Sequence, residues 1–334
     1  MKRLAVVLVF LVWFAAPAGA DLDMGVAAYN RGDYATALRE LKPLAEKGMA
    51  PAQFNLGVMY NFGEGVPQDD KEALRWYRLA AEQGNDLAQV NIGFMYDTGK
   101  GVPQNDKEAL HWYSLAAEQG NTLARFNLGV FYDTGRGVPQ DDKEALRWYR
   151  LAAEQLNALA RFNLGVKYDT GRGVPQDHKE ALRWYRLAAQ QGNALAQVNL
   201  GRKYVIGQGV PQDYDEALRW YHLSAAQGNS FAQSDIGDMY FFGQGVPQDD
   251  KEALRWYRLA AEQGHPHAQF ILGSRYASGD GVPQDYVQAY MWLSLAAAQG
   301  LKKASDARDL AAGQMSQSQL EEAQRLSRER KSKK

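Results

Sequence analysis

Apolar and polar positions in this chain follow a pattern that returns every 36 residues. Trp76, Trp112, Trp148, Trp184, Trp220, Trp256 and Trp292 stand 36 apart. So do Tyr60, Tyr96, Tyr132, Tyr168, Tyr204, Tyr240 and Tyr276, and Gly57, Gly93, Gly129, Gly165, Gly201, Gly237 and Gly273. A fixed period of this length marks units that cannot bury their apolar faces alone and stack on copies of themselves. Seven such units run in register over residues 50–301.

Within a unit the pattern predicts two helices. Ala52, Leu56 and Tyr60 recur at four-residue steps, which places them on one helical face. Gly63 and Gly65 break that helix, and Val66-Pro67 keeps the chain extended, because proline biases its predecessor away from the α region. Asp69 and Glu72 form a capping-box pattern, in which Asp69 accepts orphan amides and Glu72 reaches back. The second helix carries Ala73, Trp76, Tyr77 and Ala80 inward, and recurrence of the tryptophan predicts inter-repeat core. Gly84 stops the helix in the left-handed region. One unit has Leu156 at that place, so its helix either ends differently or carries local strain.

The ends differ from the middle. Residues 21–49 read as a shortened helix pair, aligned through Tyr29, Gly32, Tyr34, Ala37, Leu38, Leu41 and Gly48. Residues 302–334 read as capping helices and a basic tail, with Ser316 and Gln319 opening the last helix through Leu320, Ala323 and Leu326. The tail from Arg325 to Lys334 is expected to be a solvated end. Residues 1–20 have the three parts of a secretory leader: Lys2-Arg3, the apolar run from Leu4 to Ala15, and small residues at Ala18 and Ala20. Cleavage is expected after Ala20, giving an exported protein, periplasmic or secreted, with no later membrane segment.

Composition narrows the function. The loss of Lys2 and Arg3 would take 38 basic residues to 36 against 39 acidic ones, a formal charge of −3. There is no basic excess of the kind nucleic-acid binders show. With no cysteine, disulfides, thiolate metal sites and cysteine nucleophiles are excluded.

The run Ala52, Leu56, Gly57, Tyr60, Gly63, Gly65, Val66, Asp69, Ala73, Trp76, Tyr77, Ala80, Ala81, Gly84 closely resembles the Sel-one-like repeat family, a relative of tetratricopeptide repeats. Tyr290-Met291-Trp292 and the stretch from Arg308 to Ala311 resemble the last unit and cap of its bacterial members. The resemblance implies an all-α, right-handed superhelical solenoid of antiparallel helix pairs. It also implies an adaptor or scaffold, often in bacterial envelope signalling, surface-polysaccharide regulation or host contact. Some cysteine-rich relatives bind β-lactams; this chain lacks their cysteine pairs.

A search for chemistry finds no catalytic set, no cofactor motif and no metal site. His111, His178 and His222 replace the ordinary surface residues Arg75, Asp70 and Arg78 of sister units, and His265 and His267 are the one close pair. The Gly63-x-Gly65 loop lacks the continuation of a phosphate loop and recurs in every unit, which favours a structural turn. Almost every polar residue has a twin 36 positions away, whereas an active site needs a unique constellation.

A protein or peptide partner is the remaining expectation. At about 100° per residue, with Ala52 at zero, Phe54 and Val58 lie near 200° and 240°, opposite the core face. In tetratricopeptide relatives this face lines the concave groove. The equivalent pairs are Phe54/Val58, Val90/Phe94, Phe126/Val130 and Phe162/Val166, followed by Val198/Arg202, Ser234/Asp238 and Phe270/Ser274. These residues are either groove or core between first helices; Arg202 and Asp238 argue for an open surface near their units. Asn55, Asn91, Asn127, Asn163 and Asn199 form a second column, continued by Asp235, which either bonds a bound peptide or ties each repeat to the next. The competing readings are a cell-wall or β-lactam hydrolase of the cysteine-rich type, and a secreted effector that binds host proteins.

Overall fold

The computed structural model describes residues 20–332, so the leader-like segment lies outside the described residues except for Ala20. Among the described residues there are 18 α-helices and no strand. The chain divides between Gln140 and Asp141 into two compact units. The first holds α1 (Ala20–Asn30), α2 (Tyr34–Glu46), α3 (Ala50–Phe62), α4 (Asp70–Ala81), α5 (Asp86–Thr98), α6 (Asp106–Glu118) and α7 (Thr122–Thr134). The second holds α8 (Asp142–Glu154), α9 (Ala158–Thr170), α10 (His178–Gln190), α11 (Ala194–Ile206), α12 (Tyr214–Ala226), α13 (Ser230–Phe242), α14 (Asp250–Glu262), α15 (Pro266–Ser278), α16 (Tyr286–Ala297), α17 (Lys302–Ala312) and α18 (Gln317–Ser332). Within each unit successive helices pack on one another, as an α/α solenoid requires.

In the first six repeats the deepest layer is a tyrosine, not the tryptophan beside it; in the seventh Leu293 takes the tyrosine's place. Tyr77, Tyr113, Tyr149, Tyr185 and Tyr257 are at most 2% exposed. Trp76, Trp220 and Trp292 are buried, but Trp112, Trp148, Trp184 and Trp256 are half-buried. The tyrosine column explains the glycine column. A Cβ on Gly57 would fall 2.6 Å from the Tyr77 ring, and one on Gly165 or Gly201 would fall 2.5 Å from Tyr185 or Tyr221. Glycine in mid-helix costs about 1 kcal/mol of propensity, and here it lets the aromatic ring of the second helix lie against the backbone of the first.

The capping box is only half formed. Asp69 accepts from the amides of Lys71 and Glu72, and its counterparts Asn105, Asp141, Asp177, Asp213, Asp249 and Asp285 also cap their helices. Glu72 does not reach back, because the Asp69 amide already donates to the Tyr60 carbonyl of the preceding helix at 2.9 Å. Glu72 instead accepts from Arg75 at 3.1 Å. The same tyrosine-carbonyl bond recurs at Asn105, Asp177, Asp213, Asp249 and Asp285 and fixes the loop to its own first helix.

Leu156 resolves the alternative left open at its unit. It takes φ 65, the conformation of its glycine sisters, with its side chain 64% exposed. The helix therefore ends as the others do, at a strain of ~1–2 kcal/mol for a residue with a Cβ. At the far end Ser316 and Gln319 make a complete reciprocal box, at 2.9 and 3.3 Å. Ala323 is fully buried, and Leu326 joins the core around Trp292. The basic tail is held as well as solvated: Arg330 lies 4.1 Å above the Trp292 ring, and Arg325 pairs with Glu322 and Glu329.

Candidate functional site

The first helix of each repeat presents the face opposite its core, and each unit carries its own stretch of it. In the first unit Phe54, Phe94, Phe126 and Val130 are half-buried, as are Asn91 and Asn127. Val58 and Val90 are 3% and 6% exposed, and Asn55 is 7% exposed. These three are therefore core in the structure and offer no contact surface. Phe54 also packs on Tyr77, with ring centroids 5.9 Å apart.

Asn55 donates to Pro51 of its own helix at 2.8 Å. Asn199 lies near the hydroxyl of Tyr185 in the preceding repeat, and Asn91 near that of Tyr77.

The second unit differs along its length. Phe162, Val166 and Asn163 are half-buried, and the Phe162 ring lies 6.0 Å from Tyr185. Further on, Arg202 exposes 47% of its side chain and grips Asp235 with two bonds, at 2.8 and 3.2 Å. Asp238 accepts from the Tyr257 hydroxyl at 2.6 Å and lies 3.5 Å from the His267 ring. Burial pushes the Asp235 carboxyl up from the usual carboxylate range. The bond to Asp238 raises His267, whereas burial lowers His265 to about 4. Folding thus binds a proton at His267 more tightly than the unfolded chain does. That contribution to stability is complete below pH 6.5 and is lost as pH rises through the folded value. His265 has the opposite sign: its contribution holds above 6.5 and is lost as pH falls towards about 4.

Two polar networks that sequence reasoning missed hold the repeats in register. In one, a buried glutamine bonds backward and is bonded in turn. Gln197 donates to Ala189 O at 3.1 Å and accepts from Gln227 at 2.9 Å. Gln53, Gln89 and Gln269 repeat this, while Arg125 and Arg161 donate to the matching carbonyls in the units that lack glutamine. In the other, a loop cation reaches back 30 residues to the start of a second helix: Lys100 to Asp70, Arg136 to Asp106, Arg172 to Asp142. Both were visible as 36-residue columns of Gln and of paired charges, but spacing alone does not say that a polar column is buried. Lys167 and Lys203 are buried where sister units have Met59, Met95, Phe131 and Met239. Lys203 pairs with Asp169, which also holds the His178 ring at 2.8 Å.

The remaining histidines take ordinary places. His265 caps α15 by accepting from the Ala268 amide, and the His222 ring packs 5.5 Å from Trp256. Among the described residues no group of three or more metal-ligating side chains comes together, and no helix is long and apolar enough to cross a membrane.

Comparison with known proteins bears on what such a stack is. No curated protein matches the sequence. Among solved structures, a Sel1 repeat protein from Oxalobacter formigenes is 34% identical with a TM-score of 0.69, over 86% of this chain and 89% of that one. A protective antigen of uropathogenic Escherichia coli that displays an SLR fold is 32% identical with a TM-score of 0.49, over 93% of this chain and 83% of that one. The Sel1 repeat profile matches residues 50–85, 86–121, 122–155, 158–193, 194–229, 230–265 and 266–301, the seven units read from the sequence, with its one break at Leu156 and Asn157. The chain belongs to the Sel1 repeat family.

Proposed function

We propose that this chain is a non-catalytic scaffold of the bacterial envelope that binds a segment of a partner protein on the exposed first-helix face. Sel1 repeat proteins are generally protein-interaction scaffolds, and their fold is typically non-enzymatic. The observation that carries the reading is the change of character along α9, α11 and α13, from the apolar Phe162 and Val166 to the exposed Arg202 and the half-buried Asp238. Residues of these types are seldom left in such a column for packing alone. A face with aromatic anchors at one end and charges at the other suits an extended or helical segment. The leader-like residues 1–20 support export, and the intact mass of the native protein checks it: a chain starting at Asp21 is expected, and one retaining Met1 would count against export.

A photo-crosslinker at position 162 is expected to capture a partner in the native envelope, whereas one at Arg183, on the outer side of α10, is expected to capture none. With that partner in hand, Arg202→Ala is expected to weaken binding and to flatten its salt dependence, since rim charges act mainly on association rate. Capture from position 183 alone would move the interface to the second helices.

A further inference from the structure

Three departures from the repeat fall together on α13. Ser234 stands where sister units have Phe or Val, Asp235 where five of them have Asn, and Asp238 where four of them have Val or Phe. They bring two carboxylates onto a face that is elsewhere apolar and amide. Phe231 lies one turn before Asp235 and is 46% exposed, as are Leu159 and Leu195 at the same place in the two preceding repeats. An aromatic face and an apolar row therefore border the carboxylates.

The charges around the pair can be followed element by element. From α11, Arg202 spends two donors on Asp235. From α12, Tyr221 is kept neutral by burial, and from α14 Tyr257 likewise, its hydroxyl donating to Asp238. From α15, Arg275 is drawn off to Asp280 and the Phe241 ring, His265 is buried and neutral, and His267 faces Asp238. With His267 neutral, Arg202, Asp235 and Asp238 sum to one negative charge. With His267 protonated the sum is zero. Ser234 is 1% exposed, and its hydroxyl has no hydrogen-bond partner. It sits one turn before Asp238, on the same side of the helix.

Resting on the scaffold reading, we infer that this face seats one cationic side chain, a lysine or arginine, of the partner segment, and that a proton on His267 displaces it. Asp238, whose side chain is 34% exposed, supplies the charge. Phe231 supplies a ring face of the kind cations favour; Arg202 already lies 6.0 Å from that ring. An anionic group would meet Arg202 already paired with Asp235 through two of its five donors, and two carboxylates beside it. The same charge count makes the seat pH-dependent, because His267 and the incoming cation compete for one carboxylate.

The test uses capped amino acids on the whole chain, followed by NMR chemical shifts. N-acetyl-arginine methylamide is expected to shift the signals of Phe231, Ser234 and Asp238, with about tenfold weaker affinity at pH 5.5 than at pH 8.5. Asp238→Asn, which keeps an acceptor for Tyr257, is expected to abolish the response. His267→Gln is expected to keep the response and lose its pH dependence. Melting curves of both variants establish that they fold. An equal response to capped norleucine, a response to capped aspartate, the same affinity at both pH values, or no response to arginine would each overturn the inference. The scaffold reading fails separately, if the partner crosslinks from position 183 and not from 162.

Discussion

Tyr185→Ala is expected to destabilise the fold by ~3–5 kcal/mol, as loss of a fully buried aromatic ring does. The ring is 1% exposed, lies against Gly165 and packs beside Phe162. Its hydroxyl faces Asp169 at 3.4 Å. Removing it empties the layer between one first helix and its own second helix. Trp184→Ala is expected to cost less, about 1–3 kcal/mol, because that indole is half-buried with Arg183 at 5.2 Å over its ring. Equilibrium denaturation of the two variants decides the order. A larger loss at Trp184 would contradict the assignment of the tyrosine column as the core.

Asp169→Ala is expected to cost about 3–5 kcal/mol, because it strips the buried Lys203 ammonium of its ion partner. The Lys203 side chain is 7% exposed, and Gln208 would be left to it at 2.6 Å. Lys203→Met should behave quite differently. Methionine fills this position at Met59, Met95 and Met239, and a buried ion pair replaced by an apolar side chain is often neutral or stabilising. Stability within about 1 kcal/mol of the parent is therefore expected. Equal losses in the two variants, measured by denaturation, would show that the lysine stabilises the repeat boundary in its own right.

What was legible in the sequence followed from periodicity. Trp76 and its sisters gave the number of repeats, Gly84 and its sisters the helix ends, and Ser316 with Gln319 the start of the last helix. The depth order was harder to read. Trp76 and Tyr77 are adjacent and equally regular, and only the close approach of Gly57 to the tyrosine ring distinguishes them. Glu72 was misread because the partner of the Asp69 amide, the Tyr60 carbonyl, lies across a loop whose path the sequence does not specify. The first-helix face divided for a related reason. Val58 is covered, yet Phe94, Val130 and Val166 in the same column are half-buried, so side-chain size alone does not decide which positions close. Arg202 and Asp238 could be recognised beforehand as breaks in an apolar column. That Arg202 pairs with Asp235, leaving Asp238 to Tyr257 and His267, depends on the distance between successive first helices.

The claim that the first-helix face is a binding surface is tested most directly at Phe126, which is half-buried in the first unit. Partner affinity and melting are to be measured on Phe126→Ala. An anchor residue of an interface contributes about 2 kcal/mol or more, so affinity is expected to fall roughly 30-fold while stability drops by less than about 2 kcal/mol. Unchanged affinity together with a stability loss of ~3–5 kcal/mol would show that this face is core and that the partner binds elsewhere.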